Sequence, residues 1–210
     1  MAIQSPLCLA ARELASIQAR YASKGMSLSQ AALCGAQDFV EWRHYPSHDS
    51  VDGGSGYEFY YHAHAGHEMS EGEHGHFHLF KREPQTSGRF FHLIGIALDQ
   101  KGLPVRLFTT NQWVTGETLL EAGKVIAAVG KFDMTAKGRL VPLARWLTAF
   151  TKLFYAEIAN LLEERDQKIA ALASSMGSRA ALFENHQYQV LTEREINLMH
   201  RLSEHLCATH

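Results

Sequence analysis

Between positions 57 and 80 the chain reads YEFYYHAHAGHEMSEGEHGHFHLF, and six of its 13 histidines fall inside that stretch. Successive side chains of a β-strand point to opposite faces. On that period Glu58, Tyr60, His62 and His64 share one face of a first strand, and Tyr57, Phe59, Tyr61 and Ala63 share the other. In a second strand His74, His76 and His78 share a face, with Phe77 and Leu79 opposite. Each strand therefore has a histidine face and an apolar face, which suits a hairpin with its apolar side turned to a core.

Antiparallel pairing through a loop at 65–73 puts His64 opposite His74 or His76, and His62 opposite His76 or His78. Directly opposed Cα atoms lie about 4.5–5.5 Å apart. Three or four imidazoles can then reach one ion at about 2.0–2.1 Å. A slip of one residue would send one histidine set to the wrong face. The expected ligands of a transition-metal ion are His62, His64, His76 and His78, and His92 on the next strand joins them as a ligand or as a partner that orients one. Four histidines with no open position would make a storage or structural site, whereas three with a free position suit catalysis. Glu68 and Glu58 are the best carboxylate candidates, as ligand or base, and Glu71 and Glu73 read as solvated loop charges. Tyr60 or His74 would serve as proton donor or second layer. Two histidines and a carboxylate would suit non-haem iron, and an all-imidazole set suits Zn, Cu, Ni or Fe.

Around this hairpin the chain reads as one α+β domain over 1–210: a helical region at 5–40, a histidine-rich antiparallel sheet at 41–112, and a mainly helical remainder at 113–210. Ser5-Pro6 gives an N-cap and a first-turn proline, and Leu7, Ala10, Ala11, Leu14 and Ile17 form the apolar stripe of a helix over 6–23. A second helix is expected from 27 or 29 through 39. Glu41-Trp42-Arg43-His44-Tyr45-Pro46 reads as a short strand or connector, with His44 lining the metal pocket, and 48–56 as a flexible loop. A third strand over 89–98 has Phe90, His92, Ile94 and Ile96 on one face and Phe91, Leu93, Gly95 and Ala97 on the other. A fourth follows over 103–110. Next comes Thr110-Asn111-x-Trp113-Val114-Thr115-Gly116-Glu117, read as a helix start capped by Thr115 and running to Gly130, or as a substrate wall in which Asn111 and Trp113 overhang the histidine face.

From Pro142 the residues Leu143, Leu147, Phe150, Phe154, Ile158, Leu161 and Leu162 keep helical spacing to about Ala173. One helix of that length spans about 45 Å, enough to cross the sheet or project into a partner, which leaves room for a homodimer. A short strand at 188–191 and a capping box Thr192-x-x-Glu195 for a last helix close the reading. The sheet is expected to be curved, even barrel-like.

Composition narrows the partners. A formal charge of −2 over 210 residues gives no electrostatic reason to expect nucleic acid or an anionic membrane. Cys8, Cys34 and Cys207 form no C-x-x-C pair and no disulfide framework, which points to a reducing cytoplasm. No apolar run suits a membrane span. Neither a nucleophilic Ser or Cys triad nor a phosphate-binding glycine loop is present, since Gly53-Gly54-Ser55-Gly56 lacks the following lysine. The expected function is metal-dependent catalysis on a small molecule by a non-haem iron or copper oxygenase; the alternatives are a metal-binding, storage or sensing protein and a purely structural metal site.

Three resemblances accompany these residues. Gly56-x5-His62-x-His64-x3-Glu68-x6-Gly75 resembles the first motif of the cupin superfamily, which implies a small β-barrel holding a metal through two histidines and a glutamate, with His92 in place of the third histidine. That family's second motif does not follow. His62-x-His64-x-Gly66-His67 resembles the metallo-β-lactamase signature, with Gly66 where that family has aspartate. The set Glu41-Trp42-x-His44-Tyr45-Pro46, Tyr60-Tyr61-His62-x-His64, Glu73-His74-Gly75-His76-Phe77-His78 and Thr110-Asn111-x-Trp113-Val114-Thr115-Gly116-Glu117 is similar to a family of hypothetical bacterial proteins of unassigned function.

Overall fold

Alternating aromatic and histidine residues do form paired strands. In the computed structural model, which describes residues 5–36, 40–63, 72–83, 86 and 88–206, six antiparallel strands lie in sequence order: β1 Tyr45–Val51, β2 Tyr57–His62, β3 Glu73–Arg82, β4 Phe90–Asp99, β5 Pro104–Thr110 and β6 Val190–Glu195. The sheet is open, not barrel-like: among the described residues β1 and β6 are its unpaired edges. Both edges carry polar, partly exposed residues, the composition that keeps an edge from pairing further.

The apolar face carries the core. Phe59 and Tyr61, Phe77 and Leu79, Ile94 and Ile96, and Leu107 are all fully buried and join one cluster with Leu14, Val125, Trp146 and Phe150 from the helices. The first helix, α1 Pro6–Ala22, starts where Ser5 Oγ accepts the Cys8 N–H at 3.2 Å. It buries Ala10, Ala11, Leu14 and Ile17, while Leu7, expected in that stripe, is exposed. The second, α2 Leu28–Ala32, is capped by the reciprocal Ser27 and Gln30 bonds and stops well before 39; residues 37–39 lie outside the described set.

Four readings of the remainder are corrected. The stretch 48–56 is not all loop: β1 runs to Val51, and the turn after it is clamped by Asp52, whose carboxylate accepts the Gly54 and Ser55 N–H groups and both the N–H and hydroxyl of Thr135. These bonds to the charged form hold the Asp52 carboxyl well below its usual pKa. Thr115 does not start a helix through Gly130. Asn111 caps a single turn, α3 Gln112–Thr115, which Gly116 ends in the left-handed region at φ 67°, and α4 begins only at Ala122 and runs to Val129. Between them Thr118 N–H bonds the Phe90 carbonyl, so the segment docks on the end of β4 instead of coiling.

The expected single C-terminal helix is two, α5 Val141–Leu153 and α6 Tyr155–Met176, broken at Phe154 (φ −106°, ψ 20°). The break lets α5 pack on α1 while the 22-residue α6 turns to cover β5 and β6. After α7 Arg179–Phe183, Thr192 and Glu195 lie inside β6 and form no capping box. Thr192 pairs with the Thr109 hydroxyl at 2.7 Å and donates to Leu161 O on α6. The last helix, α8 Leu198–Leu206, is capped instead by Asn197, which accepts the His200 N–H at 2.9 Å. Among the described residues no helix is long and apolar enough to cross a membrane.

Candidate metal centre

The register that brings histidines together is the even-sum pairing. His62 of β2 stands directly opposite His76 of β3, and His78 stands opposite Tyr60 on the same face. The Nε2 atoms of His62 and His76 are 2.7 Å apart, and ligand atoms of His62, His76 and His78 all lie within 4.8 Å of one another. All three side chains are buried, at 8 %, 6 % and 1 % exposure. This triad can hold a metal ion. Imidazole nitrogens bound at 2.0–2.1 Å in a tetrahedron stand about 3.3 Å apart, so His62 and His76 need separate by only about 0.6 Å on that geometry.

Two departures from ideal pairing decide which other histidines join. Between β3 and β4 the register shifts at Leu79/Phe80, where Leu79 faces Ile94 but Phe80 faces His92. The extra residue on β4 turns His92 away from the Ile94 and Ile96 face on which strict alternation places it. Its ring meets those of His78 and Phe80 at centroid distances of 5.0 and 5.2 Å. A second shift, between Glu73 and Gly75, takes His74 off the face of His76 and His78. His74 Nδ1 lies 2.7 Å from the hydroxyl of Tyr61, a residue of the core face. A glycine opens the remaining space: a side chain at Gly95, opposite His78, would meet the Phe108 ring at 2.4 Å, and without it that ring lies across β4 against His76 and His78.

His92 is a hydrogen-bond neighbour of His78. Its Nε2 lies 3.0 Å from His78 Nδ1, and its Nδ1 lies 3.4 Å from the Thr110 hydroxyl. Burial, with the Arg165 charge second, pushes its pKa down to about 3. A neutral imidazole has one N–H. If His78 is to ligate through Nε2, its Nδ1–H must donate to His92 Nε2, and His92 Nδ1–H then points at Thr110 Oγ1. Orienting partners of this kind contribute about 10–100-fold in metal affinity. His92→Ala is expected to weaken metal binding by about that factor without removing a ligand, as read by competitive titration against a chromophoric chelator. Glu117, to which the sequence reading gave no role, anchors this layer by accepting the His92 backbone N–H at 2.6 Å. Its carboxyl is pushed up to about 7 by burial, against the lowering effect of that N–H and of Arg165. Only its place in the 110–117 motif could have drawn attention to it.

His64 and Glu68, with Glu71, lie outside the described residues. Glu58 is buried on the histidine face but not in the triad; both its oxygens bond Arg82, at 2.6 and 2.8 Å. Glu73 is buried and bound by Arg106 through two bonds, so it is not the solvated charge expected. Asn111 and Trp113 are spent on the scaffold: Asn111 accepts the Gln112 N–H and donates to Leu182 O, while Trp113 Nε1–H donates to Tyr188 O and its ring stacks on His186.

His44 and Tyr60 do reach the centre's edge. Their rings stack at 3.7 Å, and the Tyr60 ring lies 5.2 Å from both His62 and His78. On their far side is a cavity of about 260 Å³, lined by His44, Asp49, Glu58, Tyr60, Phe80, Arg82, Phe90, Val114 and Thr115. Val114 and Thr115 line this cavity, and Asn111 and Trp113 do not.

A sequence model of a family described as "Domain of unknown function (DUF6969)" matches residues 8–196. No curated protein and no solved structure matches the chain. The open sheet and the match to a different family leave the cupin resemblance unsupported.

Proposed function

The chain belongs to the DUF6969 family, and from its site we propose that it is a metal-dependent enzyme acting on a small molecule. The observation that carries this reading is the buried set His62, His76 and His78, with ligand atoms within 4.8 Å. Three protein ligands, counted among the described residues, with a position left for a reactant are the arrangement of catalytic centres. An all-imidazole set accepts iron, copper, nickel or zinc; with iron or copper the enzyme is an oxidoreductase. In that role the ion supplies the redox chemistry and the chain supplies its setting. His92 fixes the ligating nitrogen of His78, Phe108 excludes water beside His76 and His78, and Tyr60 separates the ion from the cavity by one ring.

A second reading rests on the same burial. None of the three histidines lines the cavity, which favours a structural ion with no reactant position. Cobalt(II)-loaded protein separates the two. Azide added to it is expected to shift the visible d–d bands by entering the open position; bands indifferent to saturating azide would turn the assignment to a structural site.

A further inference from the structure

The cavity beside Tyr60 holds polar atoms that the metal centre leaves unused. Tyr60 is 8 % exposed, and among the described residues its hydroxyl has no hydrogen-bond partner. Asp49 spends Oδ1 on His44 Nδ1 at 2.9 Å and leaves Oδ2 without a partner among the described residues. The Phe80 ring lies 5.4 Å from Tyr60 and 5.5 Å from Phe90, and all three rings line the same cavity as Asp49. The charges do not cancel. Glu58 and Arg82 neutralise one another through their two bonds, and with histidine counted as neutral the Asp49 carboxylate remains as one negative charge.

We propose that this cavity binds a small organic amine in its ammonium form, whose N–H groups donate to Asp49 Oδ2 and Tyr60 Oη while its apolar body lies against Phe80 and Phe90. A cation gains from both a charge-assisted bond and the faces of the rings. A carboxylate ligand would meet Asp49 and Glu58, and the compensating Arg82 is already held by Glu58 through two of its nitrogens. The volume of about 260 Å³ lies below the range of drug-sized sites and suits a smaller molecule. As a substrate class this rests on the metal-enzyme reading; as a binding site it does not.

The test is calorimetric titration of the full chain with benzylamine, benzyl alcohol and benzoate at pH 7, where benzylamine is a cation. Benzylamine is expected to bind at least about tenfold more tightly than the alcohol, with benzoate weakest. Asp49→Asn should erase that preference, and Tyr60→Phe should weaken the amine by a smaller factor. Equal or tighter binding of benzoate, no saturable binding of benzylamine, or unchanged amine affinity in Asp49→Asn would overturn the proposal. The comparison among the three ligands needs no variant, so it holds even if a substitution perturbs folding. Iron, copper, nickel and zinc content, measured on the same preparations, reports the triad separately. Bound metal without amine binding sinks the cavity proposal alone, and amine binding without any of these metals sinks only the metal reading.

Discussion

His76→Ala is expected to reduce bound metal from one ion per chain to a small residue in protein prepared without a histidine tag, and His62→Ala to do the same. The two rings face each other across β2 and β3 with Nε2 atoms 2.7 Å apart, and each closes the triad with His78. Apparent binding free energies for four-ligand zinc sites are about 10–16 kcal/mol, so one ligand carries roughly 3 kcal/mol. That corresponds to a loss of about a hundredfold in affinity. His200→Ala, on the exposed side of α8, is the control and should leave the metal content unchanged. Elemental analysis after dialysis reads all three proteins. Equal metal in His76→Ala and the parent would place the ion elsewhere and remove the hairpin site.

The largest effect on stability is expected from Phe77→Ala. Phe77 is fully buried on β3 between His76 and His78, and its ring meets those of Tyr61, Phe59 and Trp146 at 4.9, 6.0 and 6.4 Å. Truncating a buried phenylalanine costs about 3–5 kcal/mol, part lost transfer energy and part cavity. For a chain of this size each kcal/mol moves Tm by about 2–4 °C, so a fall of about 10 °C is expected by calorimetry. Leu9→Ala, at a residue 55 % exposed on α1, should change stability by less than about 0.5 kcal/mol. A similar small shift for Phe77→Ala would mean that β3 is not the strand joining the core to the histidine face.

Much of this arrangement was legible in the residues because it depends on periods. Alternation over 57–62 and 76–79 assigned Phe59, Tyr61, Phe77 and Leu79 to the core and His62, His76 and His78 to the other face, and the structure keeps every one of these assignments. The Ser5-Pro6 start of α1 and the strand at 104–110 were readable for the same local reason. Where two local patterns competed, the residues misled. Thr192 and Glu195 carry the spacing of a capping box, yet β5 offers backbone partners that a helix start there would forgo, and β6 forms instead. The apolar spacing through Phe154 is continuous, but the break there follows from what α5 and α6 each have to cover.

The histidine pattern by itself determined that one face of a β-hairpin would gather imidazoles, because a period of two admits no other grouping along a regular strand. It could not determine the membership of the site. A one-residue shift near Leu79 and Phe80 brings His92 in beside His78, and another between Glu73 and Gly75 sends His74 away to Tyr61. Alongside these shifts, the bare backbone of Gly95 admits Phe108, and Glu117 holds the His92 N–H. These are contacts between residues distant in the chain, so only the tertiary structure sets them.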